Sequence, residues 1–306
     1  MKILSQTAFE NSSRYILNNA RYLEKLVFGH HFISPCPEKI VKAYRMYQNK
    51  DGGYGNGLEP DFRLPFSSPM ATTVALGRLR EFKTDLNALE QIEKAILYLE
   101  STFNESIVGW ESTSKLVNLY PHAPWWSYTE LRKSIHGNPS AEILSYLLEF
   151  KEFVKVLDLE LLKSTYINYF NELKEFDEHE VYCFIKLYNS LSDIEQQEIE
   201  STLKVAIERT MVLDSKEWHN YVAYPLKFVS IIDKPIIEIE KGIIDSNIEF
   251  LIDMIEREGY ISPSWRWQDF AEEWEIAERE WIGVLTLDAL LSFKKYNLIS
   301  RDKKTF

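Results

Sequence analysis

The sequence predicts an all-α fold: one domain over residues 1–306, built of about six helical hairpins that stack and close into a ring. Three observations predict it. Apolar residues recur at helical spacing along almost the whole chain, and no stretch reads as a strand. Glycine and proline number only 11 each while aromatics reach 14 %, a composition for long helices around a wide, aromatic-rich interior. A helix-ending punctuation, strongest at Gly52-Gly53-Tyr54-Gly55, returns at Gly109-Trp110, Trp218 and Gly259-Tyr260.

The elements follow in order. Tyr15, Ile16, Tyr22, Leu23, Leu26 and Val27 form one stripe and predict a helix over 12–29. Pro37 suits a first helical position, and that helix runs to about Gln48. Ser68-Pro69 is a cap followed by proline, opening a helix to about Phe82. Asp85 starts the next, through Ala88, Ile92, Ala95, Ile96 and Leu99. At Asn138-Pro139 another begins, with Asn138 as cap and Glu142 near the positive end of the helix dipole. Further helices fit 158–173, 178–190, 194–211, 220–231 and 240–257, and a long one closes the series over 268–296. Asp233-Lys234-Pro235, flanked by isoleucine pairs, reads as a turn between helices.

Two connections are long, roughly 49–67 and 105–137. Such loops are functional or disordered, and their Gly, Pro, Trp, His and Tyr content without charge runs predicts order. The recurring aromatics have a physical sense. A glycine in the left-handed conformation ends a helix, and the aromatic folds back onto the helix end. Helix pairs at a period of roughly fifty residues imply stacked hairpins.

Composition excludes some functions. A formal net charge of -12 argues against nucleic-acid partners, which call for a basic face, and against anionic membrane surfaces. Cys36 and Cys183 sit in no ligand or redox motif, which suits reduced thiols in the cytoplasm. No basic segment followed by an apolar run marks a signal peptide, and no stretch is apolar enough to span a membrane. His30-His31 are adjacent and cannot share a helix face as metal ligands do, and Asp177-Glu178-His179-Glu180 reads as a helix start. Neither a metal nor an organic cofactor is expected: the glycine loop follows a helix, whereas a dinucleotide loop follows a strand.

Five stretches could carry chemistry. Glu59-Pro60-Asp61-Phe62-Arg63 offers two carboxylates and a guanidinium: one carboxyl raised by burial as an acid, the other held charged by Arg63. The competing reading is a solvated loop. Pro121-His122-Ala123-Pro124-Trp125-Trp126-Ser127-Tyr128 is stiffened by two prolines. Trp125 and Trp126 cannot both face one helix stripe, and His122 offers a proton carrier near neutral pH. The alternative there is a packed lid. His219, between Trp218 and Tyr221, repeats the theme, although a single histidine commonly serves structure. Glu142 is explained by its helix start, with a site role as the lesser reading. Finally, Trp267, Trp274 and Trp281 recur every seven residues with Phe270, Ala277 and Val284 between them, an apolar seam by default. As a cavity wall the same segment would present Trp265 and Trp267 with Arg266, Glu273 and Glu280 at its polar edge.

The run Gln48-x3-Gly52-x-Tyr54 within Gln-x-x-Asp-Gly-Gly-Tyr-Gly resembles the repeat of terpenoid cyclases and protein prenyltransferases, which usually carry Trp where this chain has Tyr54. The resemblance implies an α/α toroid whose inner helices ring a central cavity. It covers about ten residues strongly, with weaker echoes beyond. The pairing of this run with the Pro-His-Ala-Pro-Trp-Trp loop is similar to uncharacterised bacterial proteins, which implies no activity. The catalytic marks of the family do not accompany the repeat. There is no Asp-x-Asp-Asp run, no Asp-Asp-x-x-Asp helix, and no zinc set of Asp, Cys and His.

The leading expectation is an enzyme that takes an isoprenoid or similar apolar small molecule into an aromatic-lined cavity. Asp61 or Glu59 would act as acid, Arg63 and His122 would set its protonation, and Trp125, Trp126, Tyr128, His219, Trp265, Arg266, Trp267 and Glu280 would contact the ligand. A glycosidase or lyase on helix pairs would use the same paired carboxylates and tryptophans. A non-catalytic binding module is the third reading.

Overall fold

A computed structural model describes residues 2–129, 134–233 and 236–300. Among them lie twelve α-helices and no strand longer than an isolated bridge. No described helix is long and apolar enough to cross a membrane. The described residues within Met1–Ala43, Val212–Ser230 and Ile239–Phe306 form one compact unit, and those within Tyr44–Met211 and Ile231–Glu238 form a second.

In the first unit, α1 (Gln6–Asn19) and α2 (Tyr22–Phe32) replace the single helix predicted over 12–29. Ala20 is extended (φ −68°, ψ 165°), and Asn19 Nδ2 donates to the Tyr15 carbonyl 3.1 Å away. Arg21 then opens α2 with a bidentate, nearly buried pair to Glu24 at 2.9 and 2.7 Å. The cause of the elbow is tertiary. Gly283 of α12 (Ala271–Lys295) approaches so closely that a Cβ there would lie 2.7 Å from Ala20 Cβ. Pro37 does begin α3 (Pro37–Arg45), but the helix stops at Arg45 because residues 47–55 fold back, with Gly55 N–H donating to the Tyr47 carbonyl at 3.1 Å. Also in the sequence of helices are α10 (Pro225–Ile231) and α11 (Lys241–Glu258), and α1 packs on α2, α11 and α12.

The long final helix starts later than predicted. Phe270 takes the left-handed conformation (φ 58°) and is exposed, so Trp267 and Phe270 precede α12 and the seven-residue seam does not begin within it. Trp274 and Ala277 are buried on the helix, whereas Val284 is half-buried.

The second unit holds α4 (Pro69–Leu79), α5 (Leu86–Ser101), α6 (Gly137–Glu149), α7 (Leu159–Glu172), α8 (Glu178–Ser190) and α9 (Asp193–Thr210). Ser68, Asp85 and Asp177 accept hydrogen bonds from first-turn N–H groups, as their residue types demand. The predicted turn at Asp233-Lys234-Pro235 lies partly outside the described residues. Helix α6 is central, packing on α4, α5, α7 and α8. It enters through a kink: His136 Nδ1 accepts the Asn138 N–H at 3.1 Å, and Asn138 is non-helical (φ −101°, ψ 115°). At the end of α5 the Glu100 carboxylate collects the N–H groups of Lys155, Val156 and Leu157 at 2.9, 2.6 and 2.9 Å, tying that loop to the helix.

The recurring aromatics share a device. Tyr54 N–H donates to Thr72 Oγ1 of α4 (3.0 Å) and its hydroxyl to Gln91 Oε1 (3.1 Å). Trp110 N–H donates to Ser140 Oγ of α6 (3.0 Å) and its indole to the Leu99 carbonyl (2.6 Å). The Trp218 indole donates to the Val212 carbonyl (2.8 Å), and the Tyr260 ring lies 4.5 Å from that of Tyr15. The glycine component is less regular than expected. Gly259 is a left-handed cap on α11, but before Trp110 it is Val108 that takes positive φ, and Gly109 is required by close approach, 2.6 Å from Cβ to the Tyr166 hydroxyl.

Candidate functional site

The two long loops of the second unit dock on each other. Gln48 latches the first, its Nε2 donating to the Gly52 and Gln91 carbonyls at 2.9 Å each. Asn49 Nδ2 reaches across to the Pro65 carbonyl (3.0 Å), so the glycine loop closes on itself. Gly55 must be glycine, since a Cβ would stand 2.2 Å from the Phe66 carbonyl oxygen. Gly57 takes φ 71°, and the Arg63 guanidinium lies over it, 3.3 Å from where a Cβ would be. Burial pushes the hydroxyls of Tyr54 and Tyr98, which wall this loop, well above the usual phenol range, so both stay protonated.

The chain that leaves this loop then pairs antiparallel with the second. Arg63 N–H donates to the Pro121 carbonyl and Ala123 N–H to the Asp61 carbonyl, both at 2.8 Å, with Phe62 opposite His122. Two segments some sixty residues apart in sequence thus meet through main-chain bonds. Glu59 and Asp61 are buried there, at 7 % and 5 % exposure, which removes them from the solvated-loop reading. Glu59 Oε1 accepts the Asp61 N–H at 3.4 Å. The Phe62 ring meets Trp126 edge-on at 5.4 Å between centroids.

His122 is buried, with Nδ1 2.7 Å from the Tyr120 carbonyl and Nε2 3.0 Å from Ser127 Oγ. Trp126 keeps its indole nitrogen inside the protein, without a hydrogen-bond partner among the described residues. Trp125 is half exposed (51 %). Tyr128 is fixed through its main chain, exchanging bonds with the Asn118 carboxamide at 2.8 and 2.7 Å. Ser127 is the residue that sequence reasoning passed over; its signal was a hydroxyl five positions after a histidine in a proline-stiffened loop.

The remaining candidates belong to the first unit. His219 is exposed, edge-on to Phe250 at 4.8 Å. Trp265 is half-buried against Tyr221 (5.3 Å) and Trp281 (5.1 Å), its indole nitrogen buried and unbonded among the described residues. Arg266 is exposed, Glu280 half-buried, and Trp267 buried against Trp274 at 5.8 Å. This unit also carries two open clefts. One, of about 340 Å³, is lined by Asn11, Arg14, Tyr15 and Tyr260; the other, of about 500 Å³, lies beside Cys36.

A polar cluster that no sequence spacing announces lies between α6 and α8. Glu142 Oε1 accepts from Tyr146 Oη (2.7 Å) and Lys186 Nζ (2.6 Å), and Cys183 Sγ lies 3.9 Å from Oε2. Burial, reinforced by the Glu142 charge, pushes the Cys183 thiol far up, so it stays protonated and unreactive. Burial alone would lower the Lys186 amine, but the Glu142 charge outweighs it and the amine is held above its usual value. Nearby, Glu180 accepts the Gly137 N–H and the Tyr169 hydroxyl. This is a charge-paired core element that engages Glu142 with Lys186; the cap of α6 is His136 rather than the expected Asn138, and no acidic residue stands in the first turn of that helix. Among the described residues no group of three or more His, Cys, Asp or Glu side chains is placed to hold a metal ion.

No protein-family model, curated protein or solved structure matches this chain.

Proposed function

We propose that the chain is an enzyme that performs acid–base chemistry on a small molecule where its two long loops dock. The observation that carries this is the burial of two carboxylates, Glu59 and Asp61, in a segment held by main-chain bonds against the loop of His122 and Trp126. Surface carboxylates stay solvated; two buried together in a loop, rather than in the core of a helix pair, are disposed for function. Either carboxyl acts as the acid, with the Arg63 guanidinium holding the charge of the other. The neighbouring rings of Trp125 and Trp126 suit an isoprenoid or similar apolar substrate, and we place this chemistry in an α/α toroid of helix pairs. The half-exposed face of Trp125 favours a second reading, since a sugar ring stacks on such a face while paired carboxylates act on a glycosidic bond.

The test is ligand stabilisation of wild type, Asp61→Asn and Trp126→Ala. Farnesol and farnesyl diphosphate are compared with cello- and uronic-acid oligosaccharides. A ligand at a hundred times its Kd stabilises by about 2.7 kcal/mol, readily seen as a thermal shift. Stabilisation by the isoprenoids that is lost in Trp126→Ala supports the leading reading. Stabilisation by sugars alone replaces it with carbohydrate chemistry, and no stabilisation by either set favours a binding module.

A further inference from the structure

We infer that Ser127 is a nucleophile activated by His122, and that this junction cleaves a carboxylic ester of an apolar acid through an acyl-serine. The inference goes beyond the acid–base reading and stands on His122 and Ser127 without the carboxylates.

The argument begins with the protonation of the ring. A main-chain carbonyl only accepts hydrogen bonds, so the 2.7 Å contact to Tyr120 places a proton on Nδ1. In the neutral imidazole Nε2 is then bare and accepts, and its partner at 3.0 Å is the Ser127 hydroxyl. The contact is within the range required of a general base. This is the arrangement of an activated nucleophile: hydroxyl, base, and a third group that fixes the tautomer and orientation of the base. Here the third group is the Tyr120 carbonyl. Local structure builds the arrangement. The turn Pro124–Trp126 reverses the chain, with Ser127 N–H on the Pro124 carbonyl (3.1 Å), and so returns Ser127 to the histidine five residues back. His122 itself is buried and pinned opposite Phe62, while Ser127 is exposed to an incoming substrate.

A second, separate observation points to a ligand. The indole N–H of Trp126, adjoining Ser127, is buried and unbonded among the described residues. A buried donor left unmet calls for an explanation. An oxyanion formed at Ser127 is the acceptor we assign to it, and the half-exposed ring of Trp125 offers apolar surface for the acyl chain.

The steps balance without any further oxidant or reductant. Ser127 Oγ attacks the ester carbonyl carbon as its proton passes to His122 Nε2, and the carbonyl π pair moves onto oxygen. The tetrahedral species collapses, the C–O bond to the alcohol breaks, and the departing alkoxide takes the proton from Nε2. Water then attacks the acyl-serine with His122 as base, releasing the carboxylic acid and restoring the hydroxyl.

The full chain is treated with an alkyl fluorophosphonate, the adduct is located by peptide mass spectrometry, and p-nitrophenyl butyrate hydrolysis is followed in parallel. We expect one adduct, on Ser127, and loss of both signals in Ser127→Ala, whose exposed side chain leaves folding intact. His122→Gln lowers the labelling rate by about a hundredfold or more, at unchanged circular dichroism. Wild type left unmodified at Ser127, or ester hydrolysis equal in Ser127→Ala, overturns the inference. An unlabelled Ser127 beside Asp61-dependent ligand stabilisation would remove the nucleophile and leave the acid–base reading standing. A labelled Ser127 with no Asp61 effect on any ligand would do the reverse.

Discussion

Replacing Gly55 by alanine is expected to destabilise the second unit, while the same substitution at Gly29 is expected to stabilise the first. At Gly55 the added Cβ would stand 2.2 Å from the Phe66 carbonyl oxygen and 2.7 Å from that of Pro65. Backbone cannot rotate away as a side-chain tip can, so the segment 65–66 must retreat by about 1 Å, an overpacking that costs about 1–3 kcal/mol. That retreat also strains the bonds on either side, Gly55 N–H to the Tyr47 carbonyl and Ser68 N–H to the Tyr54 carbonyl, each worth about 1 kcal/mol. The expected loss is therefore about 3–5 kcal/mol. Gly29 lies within α2, and no atom comes within 4 Å of a Cβ there. Alanine at that site gains about 0.5–1 kcal/mol from reduced chain entropy and better helix propensity. Urea unfolding of the intact chain, followed by far-ultraviolet circular dichroism, measures both. A Gly55→Ala midpoint equal to wild type would refute the close approach of the two sides of the loop. A destabilised Gly29→Ala would refute the open space beside α2.

Two further predictions concern the helical frame. Glu100→Gln removes the charge that holds the N–H groups of Lys155, Val156 and Leu157. We expect a loss of about 1–3 kcal/mol and faster amide exchange at those three residues; unchanged exchange would show that the loop does not depend on the carboxylate. At Lys186 the folded-state pKa is raised above the usual 10.5. A raised amine contributes stability in full below that value, and the contribution fades as pH climbs through the folded pKa. Glu142→Gln should flatten this alkaline decline in urea midpoints taken above pH 10.5, and an identical decline in the variant would remove Glu142 as its source.

What the sequence discloses is what short-range physics decides. Ser68, Asp85 and Asp177 announce helix starts because a side-chain oxygen satisfies N–H groups two or three residues on. The apolar periodicity of α5, buried at Ala88, Ile92, Ala95, Ile96 and Leu99, is equally local. The elbow between α1 and α2 is hidden because the apolar stripe runs through it unbroken, and its cause, Gly283, lies far along the chain. The left-handed turn at Phe270 has no glycine to announce it. For the site, the sequence singles out both loops, yet nothing in either predicts that Arg63 pairs with Pro121. Ser127 escaped notice because its role depends on a turn that brings it back to His122. The Glu142–Lys186 pair escaped because its members lie on different helices.

The central claim is that ligand chemistry takes place where the two loops dock. The most direct test follows the Trp126 indole N–H cross-peak in a ¹⁵N-tryptophan-labelled chain, assigned by Trp126→Phe, as farnesol and then cellobiose are added. The account predicts that this resonance moves on saturation with at least one of them, and that Asp61→Asn weakens the response. A Trp126 resonance unmoved by a ligand that shifts Trp265 or Trp267 would contradict it and move the binding site to the first unit.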